Sequence, residues 1–125
     1  MSSLRVSESI LDLVGRTPLL RLIQLEPHGG AQIWAKLEYL NPGGSLKDRA
    51  ALGMVLAAER DGRLTRDSVI IEPTAGNTGI GLALIGSQRG YRVILVVPAN
   101  FSREKLIVMQ ALGGELVLTP QEDGI

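Results

Sequence analysis

Residues 69–98 read VIIEPTAGNTGIGLALIGSQRGYRVILVVP, two β-branched apolar runs bracketing a glycine-rich turn and a long apolar segment. A short β-branched run that breaks into a glycine turn and then changes to an uninterrupted apolar stretch is the signature of strand, tight turn and helix. A second strand after that helix makes a βαβ unit, whose strands run parallel. The same alternation continues downstream. The spacing predicts a strand at 68–71, a helix at 77–89, a strand at 92–97 ended by Pro98, a helix opened by Ser102 and ended near Leu112 by Gly113 and Gly114, and a strand at 115–118. The fold class is therefore α/β, a three-layer arrangement of a mainly parallel sheet with flanking helices. Few polar residues interrupt the 77–89 helix, so most of its circumference is expected to be buried.

Upstream, residues 41–51 read NPGGSLKDRAA, a paired-glycine turn running into another helix, expected over 45–61 with Gly62 as its stop. Its apolar residues Leu46, Ala50, Met54, Ala57 and Ala58 recur at helical spacing and define the expected buried face, with Arg49, Glu59 and Arg60 left to water. Short strands are expected at 19–22 and 33–37, with Trp34 in core or interface packing. Pro27-His28-Gly29-Gly30 reads as a solvated turn.

Two segments carry chemistry. In the first, Lys47 follows a capping Ser45 and precedes Asp48 at a helix start. A free lysine, with a pKa near ~10.4, offers only a small fraction of neutral amine at neutral pH. A helix N-terminus and partial burial both disfavour the ammonium, and a lysine so tuned suits Schiff-base chemistry. The plain alternative is a surface lysine in the capping box Ser45-x-x-Asp48. In the second segment, Gly76 and Gly79 allow a bend and the close approach of a ligand. The N–H groups of the following helix make an anion seat, and Thr74, Asn77 and Thr78 add side-chain donors. The alternative is a structural turn in which Asn77 or Thr78 merely caps the helix. Two such helix starts in one small unit, one of them bearing a lysine, form a joint pattern.

The remaining composition excludes several classes. Thirteen basic and thirteen acidic residues cancel, leaving no electrostatic footprint for nucleic acid or an anionic membrane. There is no cysteine and a single histidine, so neither a disulfide framework nor a histidine-rich metal site is expected. No apolar run reaches the ~18 residues of a membrane span, and a cytoplasmic protein is expected. The run Arg103, Glu104, Lys105 reads as a solvated helix face.

With these residues in place, the chain resembles the pyridoxal-phosphate enzymes of the cysteine synthase and cystathionine β-synthase family, of fold type II. The resemblance rests on NPGGSLKDR and EPTAGNTGIGLAL, and on VGRTPLL, GYRVILVVP, FSREK and ALGGELVLTP in the same order and register, over nearly the whole chain. It implies that Lys47 carries pyridoxal 5'-phosphate and acts as the general base. Asn77 would bond the phenolic oxygen of the ring, and Thr74, Ala75, Gly76, Asn77 and Thr78 would hold the substrate carboxylate. Many members have Ser where this chain has Ala75, which removes one hydroxyl. The implied reaction is β-replacement, in which O-acetylserine or serine combines with sulfide or homocysteine to give cysteine or cystathionine. The implied partners are a small amino-acid substrate and, for the full-length family member, a second copy in a homodimer.

The resemblance further implies that residues 1–40 are an arm that packs on a larger lobe, and that 41–125 are the smaller βαβαβ lobe. That larger lobe, with its phosphate-binding loop, has no counterpart in the sequence, so an N-terminal part of an enzyme is expected, its activity alone in question. Two other readings compete with it: a non-catalytic or partner-binding remnant, and a dinucleotide-binding module. Against the second, Gly76, Gly79 and Gly81 are spaced GxxGxG rather than GxGxxG, and Lys47 is left without a task.

Overall fold

A computed structural model describes residues 6–74 and 76–121. The chain opens with a 3-10 turn at Ile10–Leu13, then β1 (Leu19–Arg21) and β2 (Trp34–Lys36) pair antiparallel. The hairpin carries the Arg21–Glu26 ion pair, and Glu26 also accepts the Ile33 N–H. Pro27 to Gly30 form the expected turn, closed by the Gly30 N–H on the Pro27 carbonyl at 2.9 Å. Trp34 is half exposed on β2, outside the core.

After a short 3-10 turn at Glu38–Leu40 come α1 (Lys47–Arg60), β3 (Val69–Pro73), α2 (Asn77–Gln88), β4 (Arg92–Pro98), α3 (Arg103–Ala111) and β5 (Gly114–Thr119). Strands β3, β4 and β5 lie side by side in that order and are parallel, with Ile71 opposite Ile94 and Val96 opposite Val117. Gly62, Gly90 and Gly113 have positive φ where helices turn toward strands, a conformation that favours glycine.

Helix α2 is buried continuously from Gly79 to Gly86, as its apolar sequence requires. Its glycines set how closely it lies on the sheet: a Cβ on Gly86 would stand 2.4 Å from Val93 and 3.3 Å from Ile70. Ile85, Val93, Leu95, Val97 and Met109 are fully enclosed and form the core between α2, α3 and the sheet. Each side chain of this size contributes about 1.5–3 kcal/mol by leaving water. The opposite sheet face carries Ile71, which is 62 % exposed, and Val117, which is 49 % exposed.

One expected face is corrected. Helix α1 buries Asp48, Ala51 and Val55, not the stripe through Leu46, Ala50 and Met54. Leu46 and Met54 are half exposed. The helix carries apolar residues on two sides, and the contact with α2 selects the side bearing small Ala51, because α2 presents Gly81 there. A Cβ on Gly81 would lie 3.0 Å from the Lys47 carbonyl oxygen and 3.2 Å from the Ala51 Cβ. Arg49 and Glu59, expected in water, are instead paired. Arg49 forks onto Glu38 at 2.7 and 2.9 Å, and Glu59 accepts bonds from Arg89 and Tyr91.

Candidate active site

The Lys47–Gly81 contact brings the first turns of α1 and α2 together, although their residues are more than thirty positions apart in sequence. At the α1 start the Ser45 hydroxyl accepts the Lys47 N–H at 3.1 Å. Asp48 does not complete the expected capping box. Its carboxylate reaches past Ser45 to the Gly43 N–H at 2.5 Å, and its other oxygen is buried without a partner. Burial pushes the Asp48 carboxyl above its ordinary range, partly offset by the Gly43 bond. Gly43 is the residue that permits this approach, since a Cβ there would meet Asp48 Oδ1 at 2.5 Å.

The turn is further braced from the N-terminal segment. Asn41 is buried and accepts the Gly15 N–H at 2.8 Å. Glu38 accepts from Arg49, the Thr17 hydroxyl and the Asn41 amide, while Arg49 also donates to the Gly15 carbonyl. The Arg49 guanidinium, helped by the Thr17 hydroxyl, holds the Glu38 carboxyl down to about 2. These bonds fix the frame from which Lys47 projects. Lys47 itself is exposed, and among the described residues its amine has no hydrogen-bond or ion-pair partner. The partial burial expected of it is therefore not supplied by the described residues.

At the α2 start the buried Thr74 hydroxyl accepts the Gly79 N–H at 3.1 Å and the Gly76 N–H at 3.4 Å. Thr74 is thus a wedge under the helix start. Gly76 has φ 176°, an extended conformation open to any residue, so what glycine provides here is space rather than a bend. Among the described residues no acceptor is bonded to the Asn77 or Thr78 N–H, as expected of a first helical turn. The Asn77 side chain is exposed and likewise unbonded. Ala75 lies outside the described residues.

Lys105 departs from the sequence reading. Arg103 and Glu104 are exposed, but Lys105 is half-buried, and its ammonium lies 5.6 Å from the centre of the Phe101 ring and 4.0 Å from where a Gly76 Cβ would stand. The signal was present in the spacing: Lys105 is one turn before fully buried Met109, whose terminal methyl would touch a Cβ on Gly79 at 3.1 Å. A cavity of about 550 Å³ lies elsewhere, between the second half of α1 and β3, and is lined by Met54, Ala58, Leu64, Ile71 and Leu82 among others. Among the described residues no cluster of metal-ligating side chains occurs, and no helix is long and apolar enough to cross a membrane.

A lysine amine at the start of one helix and, among the described residues, unbonded N–H groups at the start of a second helix packed against it suit a cofactor that needs an amine anchor and a substrate that carries an anion. Comparison with known proteins agrees. The family model described as pyridoxal-phosphate dependent enzyme matches residues 10–124. The chain belongs to this family. It is 51 % identical over 120 residues to a probable cysteine synthase of Bacillus subtilis (strain 168), covering 96 % of this chain and 39 % of that protein. It is 54 % identical over 115 residues to a cystathionine beta-synthase of Saccharomyces cerevisiae, covering 90 % of this chain and 23 % of that one. Among solved structures, the cysteine synthase of Entamoeba histolytica superposes with a TM-score of 0.90 at 41 % identity, covering 99 % of this chain and 38 % of its own. An O-ureido-L-serine synthase superposes with a TM-score of 0.88 at 44 % identity, covering 96 % and 38 %. The chain thus spans about two fifths or less of the length of these relatives, and corresponds to their N-terminal part. The family and its relatives are pyridoxal-phosphate dependent, the cofactor implied by the sequence.

Proposed function

We propose that this chain is the N-terminal part of a β-replacement enzyme of sulfur amino-acid metabolism, joining O-acetylserine or serine to sulfide or homocysteine. The observation that carries the reading is the packing of α1 on α2 near their starts, where, among the described residues, the Lys47 amine has no partner and the Asn77 and Thr78 N–H groups bond no acceptor. The residues fit pyridoxal 5'-phosphate: Lys47 would hold it covalently, and the Asn77 amide, free to donate, would bond its phenolic oxygen. When bound, the cofactor supplies an electron sink for the substrate α-carbon.

The protein's own residues do the rest. The 74–78 loop seats the substrate carboxylate on backbone N–H groups, with Thr74 holding the loop in shape rather than offering a free acceptor, and the loss of the serine hydroxyl at Ala75 leaves the backbone donor. With the cofactor and substrate bound, the Lys47 amine would be the general base that takes the substrate α-proton and returns a proton when the β-replacement is complete. Residues 1–40 act as the arm and 41–125 as the smaller lobe of a longer enzyme that works in the cytoplasm as a homodimer. The high identity to both a cysteine synthase and a cystathionine beta-synthase supports the reaction class and leaves the sulfur acceptor to be measured.

The test is the absorbance response of the protein loaded with pyridoxal phosphate when O-acetylserine is added. Asn77→Ala and Thr74→Ala are expected to weaken that response. An unchanged response in both variants removes the carboxylate-seat assignment.

A further inference from the structure

We infer that Lys105 is a further substrate-binding residue, its ammonium pairing with the carboxylate of the amino acid seated on the 74–78 loop. The inference rests on the functional reading above and adds to it a cation supplied by a different helix.

Three observations carry it. First, the ammonium is placed: half-buried Lys105 projects from the first turn of α3, its Nζ 5.6 Å from the centre of the Phe101 ring and 4.0 Å from the position of a Gly76 Cβ. Second, among the described residues other than its chain neighbours, that ammonium is the only group within 4 Å of this point, so no other side chain fills the space above Gly76. Third, Lys105 has no hydrogen bond or carboxylate partner among the described residues, although this chain pairs Arg21, Arg49, Arg89 and Arg92 each with a glutamate.

The placement follows from helical geometry. Met109, one turn further on, packs against Gly79 at the opposite end of the loop, so the face of α3 that seals the core also carries Lys105 to the loop's outer edge. An anion bonded to the Asn77 and Thr78 N–H groups over Gly76 would lie within reach of Nζ. A glycine at 76 is what lets it do so, since backbone conformation does not demand one. The ligand class is an α-amino acid with a free carboxylate. A charge-assisted contact at a half-buried site contributes less than a buried one and more than a freely solvated ion pair.

The experiment compares L-serine with L-serinamide, which keeps the amine and hydroxyl but lacks the negative charge. Binding of each to the protein loaded with pyridoxal phosphate is measured by calorimetry for wild type, Lys105→Met and Lys105→Arg. Lys105→Met should weaken L-serine about 5- to 10-fold, the loss of one partly solvated charged contact. It should leave L-serinamide unchanged, and Lys105→Arg should retain most of the wild-type preference for L-serine. Retention of pyridoxal phosphate on dialysis is read in the same samples. If it is retained while Lys105→Met leaves the serine-to-serinamide ratio at the wild-type value, or weakens both ligands equally, the inference about Lys105 is overturned and the Lys47 reading stands. If wild type does not retain it, both fall together.

Discussion

Replacing Gly81 by alanine tests whether α1 and α2 meet as closely as described. The added methyl would stand 3.0 Å from the Lys47 carbonyl oxygen, 3.2 Å from the Lys47 carbonyl carbon and 3.2 Å from the Ala51 Cβ. Two of these three atoms are backbone, so relief requires α1 to move as a body by a few tenths of an ångström. Overpacking of this kind costs about 1–3 kcal/mol, while alanine gains about 1 kcal/mol over glycine in a helix interior. The net expectation is a loss of about 1 kcal/mol, read as a fall in Tm of about 3–6 °C for a chain of this size. Gly53→Ala is the matched control: Gly53 lies in the exposed interior of α1 with no atom within 4 Å of its Cβ position. The same chemical change there should raise stability by up to about 1 kcal/mol. Thermal and urea unfolding followed by circular dichroism measure both. Opposite signs are expected, and a rise of equal size in both variants would refute the close approach of the two helix starts.

Gly76→Ala is expected to leave unfolding unchanged, because only the Lys105 ammonium lies near its Cβ position, yet to weaken the O-acetylserine absorbance response by screening the loop donors. Thr74→Val should cost about 1 kcal/mol by removing one of the two acceptors of the Gly79 N–H, the Gly76 carbonyl at 3.1 Å being the other, seen as a lower urea midpoint, whereas Thr74→Ser should be milder. For Glu38, whose folded pKa of about 2 lies below its unfolded value, the stabilisation is present above the ordinary carboxylate range and is lost as pH falls toward 2. The urea midpoint of Glu38→Gln should therefore fall less steeply than that of wild type between pH 5 and 2. Asp48 has the opposite sign: its pKa is raised by burial, so its contribution is favourable below the unfolded pKa and is lost as pH rises through the folded one. Asp48→Asn should gain on wild type as pH rises from about 4 toward neutrality, measured by the same unfolding titration.

The parallel unit was legible because its signals are local. β-branched runs at 69–71 and 92–97, the apolar 77–89 segment and the glycines at 62, 90 and 113 each state their own conformation, and β3, α2, β4, α3 and β5 appear where the pattern put them. The buried side of α1 was not legible, since apolar residues occupy two of its faces and the choice is made by Gly81 on another helix. Asp48 and Arg49 were hidden for a related reason: the local pattern offers Asp48 as a capping acid and Arg49 as solvent-facing, and only the folded chain shows Gly43 opposite one and Glu38 opposite the other. At the site, Lys47, Gly76 and Asn77 could be named from two separate turns, but the packing of their two helices at Lys47 and Gly81 is a long-range contact that no local pattern encodes. Lys105 was hidden in a charged triplet whose other two members do face water.

The most direct test of the site is chemical trapping. The protein is mixed with pyridoxal phosphate, reduced with borohydride, digested and mapped by mass spectrometry. A single adduct on Lys47 is expected, absent in Lys47→Ala, with Lys36, whose ammonium bonds the Thr17 carbonyl, and Lys105 unlabelled. Labelling spread over the three lysines, or unchanged when Lys47 is replaced, would contradict the account.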